Sequence, residues 1–181
     1  MINPAYANLT KEIRNVFSEE KMVTLADFLE HDSFKNLSKS ISKLKFMPKK
    51  EPMHHSFTFC SLADSPLQHP VVLAFIGSII NKKVKRLRLR AFTFVWKDFT
   101  LLHDAHLEKP GLDIIFDFGW NQEWGGEVFY VDGTGAYRAV PPTKNTLTIV
   151  QRSAKLHRFV KYVNNHAEKH KHYLLIGCLD I

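Results

Sequence analysis

The chain has 181 residues, 45% hydrophobic and 24% charged, with a formal net charge of +7. That length and balance fit one ordinary soluble globular domain with its own core. No apolar run approaches the roughly 18 residues of a membrane span, and the first residues carry no signal-peptide pattern, so neither membrane insertion nor secretion is expected.

Cys60 and Cys178 lie far apart along the chain. They could pair, but buried free thiols in a reducing cytoplasmic compartment are the expectation. The positive charge concentrates in two clusters, Lys43, Lys45, Lys49 and Lys50, then Lys82, Lys83, Lys85, Arg86, Arg88 and Arg90. Such clusters attract nucleic acid or an acidic protein, or they guard a solvated edge strand. The lack of regularly interleaved aromatics favours the guarded edge, while a nucleic-acid or ribosomal target stays open. Nothing in the sequence sets an oligomeric state.

In chain order, Thr10 to about Ser42 reads as helix, with Ile13, Val16 and Phe17 on one face and Leu25, Phe28 and Leu29 on another. Thr10 and Thr24 are the expected caps of two helices. "KFMPKKEP" interrupts with Pro48 and Pro52. "HSFTFCSL" alternates like a strand, and "HPVVLAFIGSIINKK" returns to helix with Pro70 in its first turn. From Arg86 onward, basic residues alternate with Leu87, Leu89 and Ala91 at strand period. The segments "AFTFVW", "FTLLH", "LDIIFDF", "GEVFYVD", "AYRAV", "TLTIVQ", "RFVKYV" and "HYLLIGCL" follow, separated by the turn chemistry of "KPG", "WGG", "DGTG" and "PPTKN". Helices first and many short strands later predict an α+β single domain over 1–181. Residues 1–85 supply helical support and the first strands, and 86–181 form a jelly roll.

Within "TLLHDAH", His103, Asp104 and His106 stand almost adjacent at the end of a predicted strand. With ten histidines in the chain, this is either a polar turn that happens to hold imidazoles or part of a metal site. The next histidine along the chain is His157, far enough away for several strands to return beside the first. Two imidazoles and one carboxylate on one face of an octahedron suit non-haem Fe(II), leaving positions open for a chelating cosubstrate and O₂. A closed zinc site would want four ligands with cysteines near, and none are near. Trp96, Trp120 and Trp124 either line a substrate entrance or fill core. Gly125 and Gly126 suggest a close backbone approach or a bulge, and Pro142 and Asn145 read as turn residues.

"FTLLHD", "WNQEWGGEVFYVD", "PPTKNTLTIV", "LHRFVKYVN" and "HYLLIGCL", in this order over about residues 86–181, resemble the Fe(II)- and 2-oxoglutarate-dependent dioxygenases, in particular their prolyl 4-hydroxylase-like branch. The resemblance implies a double-stranded β-helix braced by N-terminal helices. It makes His103 the proximal iron ligand and His157 the distal one. The family's carboxylate stands two residues after the proximal histidine, where this chain has Ala105. Asp104 supplies it if the turn swings it inward. His106 with Glu108 forms an alternative H-x-E pair. A vacant position, as in halogenating members that bind chloride beside a small residue, is the third reading. The 2-oxoglutarate anchor falls at the start of the last strand, on His172 with Lys171 beside it. A protonated His172 would make cosubstrate binding weaken as pH rises. His166 and His170, close by, read as a solvated turn or a weak surface metal site. The implied activity is hydroxylation of a C–H bond, on a protein side chain of the prolyl type. The competing expectation is a jelly-roll binding module that has lost its iron.

Overall fold

The computed structural model describes residues 1–101 and 110–180. Helix α1 (Thr10–Glu20) buries Ile13 and Phe17 and ends in a left-handed turn at Lys21. The expected second helix does not continue from it. Met22–Leu25 forms strand β1 instead, paired with a strand near the far end of the chain, and helix α2 starts only at His31 and runs to Ile41. Thr24 therefore sits in a sheet, with its hydroxyl 3.1 Å from that of Thr148, and caps nothing. Thr10 is the first helical residue, and Leu9 occupies the cap without a side-chain bond. Local periodicity lost to tertiary pairing here, because a short β-branched stretch completes a sheet edge more favourably than it propagates a helix. Leu25, Phe28 and Leu29 are buried as anticipated, but through a strand and a turn rather than a helical stripe.

The interrupting segment holds strand β2 (Met47–Glu51), exposed at every position. Pro48 is tolerated there because β2 is the outermost strand, where a missing N–H breaks no ladder. Strand β3 (His55–Leu62) and helix α3 (Pro70–Ile80) follow as the pattern predicts. Pro70 opens α3, and the His69 side chain caps it by accepting from the Val71 N–H.

The remaining strands are β4 (Arg88–Phe94), β5 (Phe99–Thr100), β6 (Gly111–Asp117), β7 (Val128–Val131), β8 (Tyr137–Val140), β9 (Thr146–Arg152), β10 (His157–Val160) and β11 (His172–Asp180). One antiparallel sheet runs β1-β9-β6-β11-β4-β3-β2, with β5 paired to β3, and a smaller one runs β10-β7-β8. The two face each other as a jelly roll, the architecture expected from the sequence. The three helices pack on the outer face of the large sheet, around Phe28, Leu67, Ile76 and Phe116. A second cluster between the sheets contains Phe94, Ile115, Val128, Tyr130, Val160 and Leu174.

The charge clusters divide. Lys49 and Lys50 lie on the outermost strand, as a guarded edge requires. Arg88 and Arg90 lie on β4, between β11 and β3, so they belong to no edge. Cys60 and Cys178 are half-buried and form no disulfide among the described residues.

Candidate functional site

Alternation decides what faces the inside of the roll. On β6 the inward residues are Asp113, Ile115 and Asp117, and on β11 the residues opposite Asp113 and Asp117 are Cys178 and Leu174. All seven residues of β6 are buried, so "LDIIFDF" carries two carboxylates into the interior, four residues and about 13 Å apart along the strand. Each must find a partner, because an unpaired buried carboxylate is too costly to keep charged.

Asp113 is fully buried. Its Oδ1 forms an ion pair with Arg152, Nε at 3.1 Å, and accepts from the Cys178 thiol at 3.3 Å. Its Oδ2 receives Arg158 Nη1 at 2.7 Å and the Tyr130 hydroxyl at 2.6 Å. β9 delivers Arg152, β10 delivers Arg158 and β7 delivers Tyr130, so the hub ties both sheets together. Burial first, and then the Asp113 charge, push the Tyr130 hydroxyl well above its ordinary pKa. Tyr130 is thus held as a neutral donor.

Beside this hub opens a cavity of about 360 Å³, whose walls include Thr100, Tyr130, Arg152, His157, Arg158 and Phe94. His157, the expected distal ligand, is half-exposed at the start of β10 and lines it. The other expected ligands, His103, Asp104, His106 and Glu108, lie outside the described residues, as does Ala105. The chain leading to them is placed: the Thr100 hydroxyl accepts the Val160 N–H at 2.7 Å, and Leu101 borders the cavity. Among the described residues, no three His, Cys, Asp or Glu side chains converge as a metal would require.

His172 sits elsewhere. It is fully buried, with Nε2 3.1 and 3.0 Å from the two oxygens of Asp117, and its ring stacks on Trp120 at 5.0 Å. It does not line the cavity, and Lys171 beside it is exposed. His166 and His170 are exposed near a short helical turn, with His170 against Trp124. None of the three tryptophans borders the cavity; Lys97 lies over Trp96 and Trp120 packs on Trp124. Gly125 makes the expected close approach: a Cβ there would stand 2.0 Å from the Tyr162 carbonyl oxygen.

Sequence reasoning missed Asp113, Asp117, Tyr130, Arg152 and Arg158. The signal was present in "LDIIFDF". Two acids spaced by four in an otherwise apolar strand share one face, and a strand buried on both sides forces them to meet cations.

No family model and no curated protein sequence matches the chain. Solved structures do. A 2OG-Fe(II) oxygenase family oxidoreductase from Burkholderia pseudomallei superposes with a TM-score of 0.71 at 13% identity, over 93% of this chain and 89% of that one. A prolyl-4-hydroxylase from Pseudomonas putida gives 0.71 at 12% identity, over 96% and 100%. A Trichoplax adhaerens prolyl hydroxylase, in complex with a peptide fragment of the hypoxia inducible factor oxygen degradation domain, gives 0.66 at 8% identity, over 95% and 89%. These neighbours are of the superfamily and branch that the sequence motifs resemble. At such identities the likeness establishes the fold: this chain is a jelly roll of the 2OG-Fe(II) oxygenase type.

Proposed function

We propose that the chain is an Fe(II)- and 2-oxoglutarate-dependent oxygenase that hydroxylates a C–H bond of a polypeptide side chain of the prolyl type. The observation that carries this reading is His157 in the cavity wall, on the strand whose Val160 is tied to Thr100. In this reading His103, three positions after Thr100 in the sequence, joins His157, three positions before Val160, on one ion. Asp104, or Glu108 with His106, supplies the carboxylate in this reading. Iron and the oxo acid, when bound, supply the oxidising chemistry.

The remaining work falls to the chain's own groups. His157 contributes an imidazole from the cavity wall. Arg158 lines the cavity with its Nη1 held on Asp113 Oδ2 at 2.7 Å, and in this reading other N–H donors of its guanidinium meet the carboxylate while that pair stays in place. For His172 to take the far carboxylate of 2-oxoglutarate, its Nε2 would have to leave Asp117, so in this reading anchoring passes from His172 and Lys171 to Arg158. Phe94 and Val160 give a cavity wall rich in charged and polar groups an apolar patch against which the target side chain can rest.

A catalytically silent binding module is the second reading. It is favoured by Ala105 in the sequence and by the way Asp113 and Asp117 already engage cationic or imidazole groups inside the roll. Equilibrium dialysis against Fe(II) under anaerobic conditions, with and without 2-oxoglutarate, separates the two. The oxygenase reading expects about one retained ion, lost in His157→Ala and in only one of Asp104→Ala and Glu108→Ala, together with a weak visible charge-transfer band. No retention by the parent chain, and no succinate under air, refutes it in favour of the module.

A further inference from the structure

Beyond β11 the large sheet continues as a wing of β4, β3 and β2, whose Phe57 and Phe92 pack against the cluster between the sheets. Register puts Phe59 opposite Phe92 and Lys49 opposite Phe57. One face of the wing therefore carries Lys49, Phe57, Phe59, Arg90 and Phe92, with Phe94 at its inner end. Phe57 is the centre of the ring cluster, 6.3 Å from Phe59, 5.6 Å from Phe92 and 6.0 Å from Phe94. Lys49 Nζ lies 5.8 Å from the Phe57 ring and Arg90 Cζ 5.9 Å from the Phe59 ring. Lys49, Phe57, Arg90, Phe92 and Phe94 also border the cavity, so the wing and the cavity form one continuous surface. The rings other than Phe94 are only half-buried, and both cations are exposed. Glu51 is the one acid of β2 on this face, and Lys50, also exposed, adds positive charge on the opposite face of the same strand.

We propose that this wing docks the polypeptide substrate, and that it selects an extended acidic segment that lays an apolar or proline residue on the ring cluster and directs its target side chain into the cavity. The target-residue part rests on the oxygenase reading, whereas the docking does not. The charge sign calls for an anionic partner. Ring geometry separates the anionic polymers. Phe57 meets Phe59 at 64° and Phe92 at 58°, and cations lie over Phe57 and Phe59. Successive nucleobases stack on open ring faces, whereas here the faces of Phe57 and Phe59 already carry cations and the near-parallel pair, Phe92 and Phe94 at 16°, reaches into the interior through buried Phe94. Small apolar side chains and pyrrolidine rings fit between tilted rings, as proline-bearing segments do in aromatic-lined grooves. Carboxylates flanking such a residue would then meet Lys49 and Arg90.

The test is fluorescence anisotropy on the metal-free chain with three probes of equal length: a labelled acidic, proline-containing peptide, its counterpart with lysine for each acid, and a poly-dT oligonucleotide. The acidic peptide is expected to bind at least about tenfold more tightly than either other probe, and less tightly as salt rises. The double variant Lys49→Glu with Arg90→Glu should weaken it by at least about tenfold. Phe59→Ser should do the same at unchanged salt dependence, with circular dichroism checking that each variant stays folded. Equal binding of acidic and basic peptides, no binding of the acidic peptide, or an unaffected double variant overturns the proposal. Tighter binding of the oligonucleotide overturns it in favour of nucleic acid. Failure of iron retention alone would sink the oxygenase reading and leave this result standing.

Discussion

Asp113→Ala is the perturbation that probes the interior of this roll most directly. It takes the carboxylate away from the groups aimed at it: Arg152, whose side chain is 4% exposed, Arg158 at 21%, and the fully enclosed Tyr130 hydroxyl. Breaking a buried ion pair by deleting one partner costs about 3–5 kcal/mol, because the surviving charge stays desolvated. An unsatisfied buried hydroxyl adds about 1–3 kcal/mol. Members of one network are not additive, and Arg158 can turn toward solvent, so a total of about 4 kcal/mol is expected. With a urea m-value of about 2 kcal/mol/M, the unfolding midpoint should fall by about 2 M. Asp113→Asn, which keeps an acceptor of the same size, should lose about half as much. Formate, small enough to enter the vacated space, should recover part of the loss in Asp113→Ala and none in the parent. A midpoint within about 0.3 M of the parent would refute the claim that this carboxylate ties the two sheets together.

Tyr130 gives a pH signature. Its native pKa is raised by burial and by Asp113, so above about pH 10, where an unfolded tyrosine loses its proton, the native state holds one that the unfolded state does not. Its contribution is complete below that pH and falls by up to about 1.4 kcal/mol per unit above it. Urea midpoints between pH 9 and 11 should therefore drop more steeply for the parent than for Tyr130→Phe, and parallel profiles would contradict the assignment. Asn145 is the turn residue expected from the sequence, and it also does more. At φ 57 it accepts from the Leu29 N–H at 3.0 Å and donates to the Leu29 carbonyl at 2.8 Å. Losing two hydrogen bonds and placing alanine in a left-handed conformation costs about 3 kcal/mol. Asn145→Ala should melt about 6–12 °C lower by circular dichroism.

Much of the architecture was legible along the chain. Alternation in "HSFTFCSL" and "RLRLRAF", the short run "LDIIFDF", apolar but for its two acids, and glycine- and proline-marked turns point to strands, because burial with period two matches the strand backbone. The order of the late motifs pointed to a jelly roll, and the solved structures share that fold. His157 could be singled out because imidazoles are chemically conspicuous. What pairs with what was not legible. Met22–Leu25 became a strand because β9 offered it an edge, a partner more than a hundred residues away. His172 met Asp117, and Asp113 gathered Arg152, Arg158 and Tyr130, because sheet register sets which side chains share an interior. Local sequence carries the period of burial and the chemistry of each side chain, whereas the neighbours of a buried charge come from strands distant along the chain, and only their packing decides them.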